Sequence, residues 1–193
     1  MLLELGGKAP LIVLDDADID AAVNATAFGA FMNQGQICMS TERVVIDEKI
    51  ADPFVQKLSA KAASLPVRDP SLGPTVLGSM VNPESAARVA SLIEDAAAKG
   101  ATIAAGGKCD GTLIEATVLD GVTPAMKIYS EESFGPVVTV VRVNGDEESP
   151  PHRKQHRLWP VRGRLQQGHR PCLESRPSSR KRNLPHQRSH SSR

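Results

Sequence analysis

The sequence lacks the features that mark several common protein classes. Its three cysteines, Cys38, Cys109 and Cys172, are too few and too irregularly spaced for a disulfide framework, and they include no CxxC pair. No apolar run approaches the roughly 20 residues that a membrane-spanning helix needs, and no signal peptide is visible. We therefore expect a soluble, cytoplasmic protein with no membrane partner. Cys109 falls in a predicted surface hairpin, and neither it nor Cys172 is expected to function.

The net charge of +1 conceals two segments of opposite composition. Residues 1–149 hold 11 Lys and Arg against 21 Asp and Glu, whereas residues 150–193 hold 12 basic residues and a single acidic one. The second segment also contains all five histidines and has no Ala, Ile, Phe or Met. Because one folded unit rarely combines two such compositions, we predict a folded part at 1–148 and a disordered tail at 149–193.

The basic segment at 150–193 has features of two functions, nucleic-acid binding and metal binding, and we predict neither. Its charge would suit a nucleic-acid-binding arm, but no aromatic residues are interleaved with the charges beyond Trp159, so we predict no nucleic-acid partner. Its histidine pairs at 152 and 156 and at 186 and 190 have the spacing of metal ligands on a helix. Neither pair lies in a helical pattern or near an acidic or cysteine partner, and we predict no metal site.

Residues 9–143 alternate between short apolar runs and stretches with helical periodicity. Strands are predicted at 10–15, 43–47, 102–105, 116–119 and 137–143, and helices from Asp16 or Asp18 to about 33, at about 50–65 and at 82–100. A loop rich in Pro, Gly and Ser is predicted at 66–81. Strands that alternate with helices indicate an α/β fold with a mostly parallel sheet.

Three motifs carry the functional signal: LELGGKAP at 3–10, FMNQGQIC at 31–38 and EESFGP at 131–136. In this order, with Cys38 lying 34 positions after Glu4, they closely resemble the NAD(P)-dependent aldehyde dehydrogenase family. The resemblance covers residues 2–149 and implies part of the family's catalytic domain. It implies an oxidoreductase that converts an aldehyde to a carboxylate with NAD or NADP. The run CMSTER at 38–43 is most similar to the branch that acts on aromatic aldehydes such as vanillin and salicylaldehyde.

The resemblance assigns chemical roles to four residues. Cys38 matches the nucleophile, and a thiolate suits this step because it adds readily to a carbonyl near neutral pH. Glu4 matches the base that activates water to cleave the resulting thioester. Glu132 matches the residue that hydrogen-bonds the nicotinamide ribose, and Phe134 matches the aromatic beside the nicotinamide. Outside these motifs a cysteine is usually a small core residue, and the alternative interpretation of Lys8 is simply a surface charge.

The family's dinucleotide-binding domain, which precedes the first motif, has no counterpart in the sequence. Gly106-Gly107 lacks the strand–turn–helix context of a phosphate-binding loop. We therefore expect the chain to be inactive alone and unable to form the homo-oligomers typical of the family. Three functions stay open: a dehydrogenase completed by a partner chain, a cofactor-free thiol esterase using Cys38 and Glu4, and a non-catalytic remnant of a truncated gene, which we favour.

The resemblance also suggests an origin for the basic segment. If the reading frame shifts by one base after about residue 150, residues 156–165 permit the string Thr-Asp-Tyr-Gly-Leu-Ser-Ala-Ala-Val. Residues 183–187 likewise permit Ile-Cys-His-Ile-Asn. Both strings are similar to stretches that follow the third motif in the family. We therefore interpret 149–193 as a frameshifted tail that contributes nothing to function.

Overall fold

The computed structural model describes residues 6–144 and the backbone of residues 163–165. The strands are β1 (Pro10–Val13), β2 (Arg43–Asp47), β3 (Thr102–Ala105), β4 (Cys109–Asp110), β5 (Leu113–Ile114), β6 (Thr117–Asp120), β7 (Val137–Val143) and β8 (Gly163–Leu165). The helices are α1 (Ile19–Phe31), α2 (Glu48–Ala63), α3 (Pro83–Ala98) and α4 (Lys127–Ser130), with short 3-10 turns at Met32–Gly35 and Pro70–Leu72. All strands and helices predicted from residues 9–143 are present. The predicted Cys109 hairpin is formed by β4 and β5.

Six of the strands form one sheet in the order β3-β6-β7-β2-β1-β8. Every neighbouring pair is parallel except β3 and β6, which are antiparallel. The prediction of an α/β fold with a mostly parallel sheet is therefore confirmed.

Helices cover both faces of the sheet. Val44 and Ile46 of β2 lie in a core with apolar residues of α1 and α2, whereas Val45 lies in a second core with residues of α3 and α4. Successive side chains of a strand point to opposite faces, so the two cores lie on opposite sides of the sheet. Burial on both faces explains why these strands read as continuous apolar runs.

Side-chain caps fix where the helices begin. Asp18, one of two predicted candidates, accepts a hydrogen bond from the Ala21 N–H at 3.0 Å and caps α1. Asn82 caps α3, with Pro83 at the first helical position, as predicted. The α2 helix begins at Glu48, slightly earlier than predicted, because Asp47 at the end of β2 accepts from the Lys49 N–H and serves as its cap.

The disorder predicted for 149–193 stays a prediction, because the structure describes only Gly163–Leu165 of this segment. These residues form β8, which pairs in parallel with β1 and places Gly163 opposite Leu11. Without this pairing β1 would be the edge strand of the sheet, with an open row of backbone donors and acceptors. Backbone pairing needs no apolar pattern, which is why the sequence did not predict it. The boundary at 148 and 149 and the rest of the segment lie outside the described residues. Among the described helices, none is both long enough and apolar enough to cross a membrane.

Candidate functional site

The three motifs lie side by side because each leads into a parallel strand of the sheet. The first motif leads into β1, the segment containing Cys38 leads into β2, and the third motif leads into β7. These strands are adjacent in the order β7-β2-β1 and run in the same direction. The residues just before them therefore gather at one edge of the sheet, where its parallel strands begin.

The first and third motifs are in direct contact. The Gly7 N–H donates to Glu132 Oε1 at 3.2 Å. A Cβ atom on Gly6 would lie 2.6 Å from Glu132 Oε2, so only glycine allows the carboxylate to approach this closely. Among the residues that the structure describes, none would lie within 4 Å of a Cβ atom on Gly7, so these residues leave open space beside the half-buried carboxylate.

An unusual turn presents the Cys38 thiol. Asn33, Gln34 and Gly35 follow one another with φ angles of 50°, 55° and 67°, the left-handed region that residues other than glycine rarely adopt. Gln36 stabilises the turn, because its N–H donates to the Asn33 carbonyl at 3.0 Å and its side-chain oxygen accepts from a backbone N–H in the 66–81 loop at 2.9 Å. The chain thereby reverses after α1 and leaves Cys38 exposed just before β2.

A buried ion pair beneath the site was not predicted. Lys8 Nζ lies 2.8 Å from Glu42 Oε2, and both side chains are almost completely buried. The alternative interpretation of Lys8 as a surface charge is therefore wrong, because Glu42 supplies a buried partner. Burial lowers the pKa of Lys8, and the nearby Glu42 carboxylate opposes this shift. Both residues belong to stretches that carry the family resemblance, but nothing in their spacing shows that they meet.

Two arginines contact the third motif or the residues just before it. Arg88 of α3 donates to the Glu132 carbonyl at 2.6 Å and to the Ser133 carbonyl at 2.7 Å. Arg43, at the start of β2, is fully buried and lies 4.0 Å from the centre of the Tyr129 ring. Burial lowers the pKa of Arg43. Neither arginine stood out in the sequence.

The four predicted site residues have different outcomes. Cys38, Glu132 and Phe134 lie in segments that the structure brings to one edge of the sheet, whereas Glu4 lies outside the described residues. Phe134 is half-buried and has a left-handed φ of 49°. Within residues 6–144 no three His, Cys, Asp or Glu side chains gather as metal ligands.

Comparisons with known proteins agree with the motifs. The sequence model of the aldehyde dehydrogenase family matches residues 1–149. Vanillin dehydrogenase from Pseudomonas fluorescens is 56% identical over 146 residues, which cover 76% of this chain and 30% of that protein. The crystal structure of a salicylaldehyde dehydrogenase from Pseudomonas putida G7, complexed with salicylaldehyde, has a TM-score of 0.80 and 49% identity, and the match covers 86% of this chain and 34% of that one.

A second solved structure is an NADP-dependent glyceraldehyde-3-phosphate dehydrogenase from Bacillus halodurans C-125, complexed with NADP. It has a TM-score of 0.78 and 34% identity, with 85% of this chain and 34% of that one covered. The chain thus spans about 30% of the length of the first curated relative and 34% of these solved chains.

Proposed function

This chain belongs to the aldehyde dehydrogenase family, and we propose that its protein oxidises an aromatic aldehyde to a carboxylate with NAD+ or NADP+. The observation that carries the proposal is the exposed Cys38 thiol at the same sheet edge as the half-buried Glu132 carboxylate. The similarity to vanillin and salicylaldehyde dehydrogenases supports an aromatic substrate. The choice between NAD and NADP stays open.

The residues around Glu132 fit the nicotinamide end of a dinucleotide. One carboxylate oxygen accepts from the Gly7 N–H, and open space lies beside Gly7. Glu132 would accept hydrogen bonds from ribose hydroxyls, and Phe134 would lie beside the nicotinamide. When bound, the cofactor supplies a hydride acceptor.

Cys38 and Glu4 would carry the covalent chemistry. The Cys38 thiolate adds to the carbonyl carbon of the aldehyde, and the carbonyl electron pair moves to oxygen. The Cys38 backbone N–H would donate to this oxyanion. After the substrate carbon loses hydride, a thioester links the acyl group to Cys38. Glu4 would then take a proton from water as the water attacks the thioester, and the C–S bond would break to release the carboxylic acid and the Cys38 thiolate, with the proton left on Glu4.

A chimaera provides the test. Residues of this chain replace the matching 146 residues of the Pseudomonas fluorescens vanillin dehydrogenase, and reduced cofactor is measured with vanillin, salicylaldehyde and an aliphatic aldehyde. We expect oxidation of the aromatic aldehydes, its loss in Cys38→Ala and Glu4→Gln, and its retention in the control Cys109→Ala. A folded chimaera that Cys38→Ala leaves equally active would overturn the proposal.

The 193-residue chain by itself is proposed to be inactive with NAD(P)+. Its sequence holds no glycine-rich strand–turn–helix motif for the pyrophosphate, and calorimetry should detect no micromolar binding of NAD+ or NADP+. The exposed Cys38 favours a second candidate for this chain, a cofactor-free thiol esterase. Hydrolysis of an activated ester without cofactor, lost in Cys38→Ala, would identify it.

The frameshifted origin of the basic segment is also a proposal. The family match ends at residue 149, where the composition changes. Nucleotide sequence tests it directly: in the shifted frame the codons beginning within Leu158 and Gln187 should encode Tyr and Asn. Other residues at these positions would favour the basic-arm interpretation. A cytoplasmic location and an inability to form homo-oligomers stay predictions.

A further inference from the structure

Two backbone N–H donors and the ammonium group of a lysine, from distant parts of the chain, converge on one buried carboxylate. Glu42 Oε2 lies 2.8 Å from Lys8 Nζ and accepts from the Ser133 N–H at 2.9 Å. Glu42 Oε1 accepts from the Phe134 N–H, also at 2.9 Å. Glu42, four positions after Cys38, therefore connects the first motif with the third.

We propose that Glu42 is a positioning residue, which fixes the peptide units of Ser133 and Phe134 and thereby holds the Glu132 carboxylate against Gly7. The role of Glu132 in cofactor binding rests on the function proposed above, but the positioning itself does not. The Glu42 backbone is held in turn, because its carbonyl accepts from the N–H and hydroxyl of Thr139 in β7 at 3.1 and 3.0 Å.

The chemistry of the contact requires a carboxylate. Each oxygen of Glu42 accepts a hydrogen bond from a backbone N–H, so both must be acceptors. A glutamine at this position would present its NH2 group to one of those N–H donors, so that N–H would lose its acceptor. Only the other backbone N–H would keep its hydrogen bond. It would also leave the buried Lys8 ammonium without its counter-charge.

The backbone of the loop explains why such a residue is needed. Phe134 has a φ of 49°, a left-handed conformation that a residue with a side chain adopts only when its surroundings impose it. Glu42 holds the amide side of this segment, and Arg88 holds the carbonyls of Glu132 and Ser133 from α3. The segment is therefore fixed through its backbone, and the Glu132 side chain stays available for a ligand.

The experiment measures amide hydrogen exchange by NMR in the full 193-residue chain. For Glu42→Gln we expect the amides of Ser133, Phe134 and Gly7 to exchange at least about tenfold faster, a larger change than at core amides such as that of Leu92. The matched control is Glu48→Gln, at the first residue of α2 just after β2, where the carboxylate pairs with Arg142. The control should leave exchange in the loop unchanged.

A double variant separates positioning from a merely structural role. Adding Lys8→Met to Glu42→Gln removes the buried ammonium that would lack a partner, so global stability should recover while Ser133 and Phe134 still exchange fast. If the double variant restores the slow exchange of these amides, or if Glu42→Gln changes exchange equally throughout, the positioning role is wrong.

A surface variant keeps the test decisive if Glu42→Gln does not fold. Arg88 is exposed, so Arg88→Gln should fold and should also speed exchange at Ser133 and Phe134 by severalfold, because it releases the carbonyls of the same segment. Unchanged exchange in Arg88→Gln would contradict a segment held from both sides. If the Cys38 thiol does not react as proposed but the exchange rates of these amides respond as expected, only the proposed function is contradicted, and the positioning role stands.

Discussion

The backbone carbonyl of Gly135 occupies the space that a Cβ atom on Gly35 would need. Gly35 also has a φ of 67°, so its position combines a left-handed backbone with a close approach of another chain segment. Gly35 lies three residues before the thiol and Gly135 three residues after Glu132. The two segments that carry the proposed nucleophile and the proposed cofactor contact are thus in direct backbone contact.

Replacing Gly35 with alanine should lower the free energy of unfolding by more than about 2 kcal/mol. The left-handed backbone alone costs a residue with a side chain about 1–2 kcal/mol, and the contact with Gly135 adds to this. The control Gly111→Ala has a similar φ of 57° and nothing within 4 Å of the new methyl group, so it should cost only the backbone term. Urea unfolding of both variants measures the difference, and equal losses would show that the contact does not matter.

Cys38 should react with a limiting alkylating reagent faster than Cys109, with a rate ratio of roughly tenfold at neutral pH. Burial raises the pKa of Cys109, and the nearby carboxylates of Glu94 and Glu115 raise it further. A raised pKa leaves less Cys109 thiolate near neutral pH. The ratio of the Cys38 rate to the Cys109 rate should therefore fall as the pH rises. Peptide mass spectrometry resolves the labelled cysteine, and faster labelling of Cys109 at neutral pH would contradict the prediction.

The sequence predicted the strands and helices that follow from local residue patterns. The strands at 43–47 and 137–143 match the predicted bounds because burial on both faces leaves an uninterrupted apolar run. The pairing of Lys8 with Glu42 is a contact between distant positions, and no local pattern encodes it. The sequence also did not predict the left-handed φ angles of Asn33 and Gln34, because neither residue is glycine and tertiary contacts impose the turn.

Asp95 should make stability depend on pH in the acid range. Hydrogen bonds from the Lys99 side chain and from the Lys127 N–H lower the pKa of its carboxyl group. Since the folded-state pKa lies below the unfolded one, the stabilisation is present above the ordinary Asp pKa and is lost as the pH falls through the lowered value. Asp95→Asn should therefore be less stable at neutral pH and should show a shallower loss of stability between about pH 5 and pH 2.

Chemical unfolding across that pH range compares Asp95→Asn with Glu94→Gln, which removes a neighbouring exposed carboxylate. The Glu94 variant should keep the acid-dependent loss of the parent chain. If both variants show the same pH profile, the contacts of Asp95 with Lys99 and Lys127 do not contribute to stability.

Cys38 is the residue proposed to form the thioester, and acylation of the full chain tests this role without a cofactor. The chain is treated with limiting p-nitrophenyl benzoate, quenched in acid and digested, and the acylated peptide is identified by mass spectrometry. We predict one benzoyl group on Cys38, none on that peptide in Cys38→Ala, and an unchanged result in Cys109→Ala. A benzoyl group carried mainly by another residue, or no acylation of a folded chain, would contradict the assignment of Cys38 as the nucleophile.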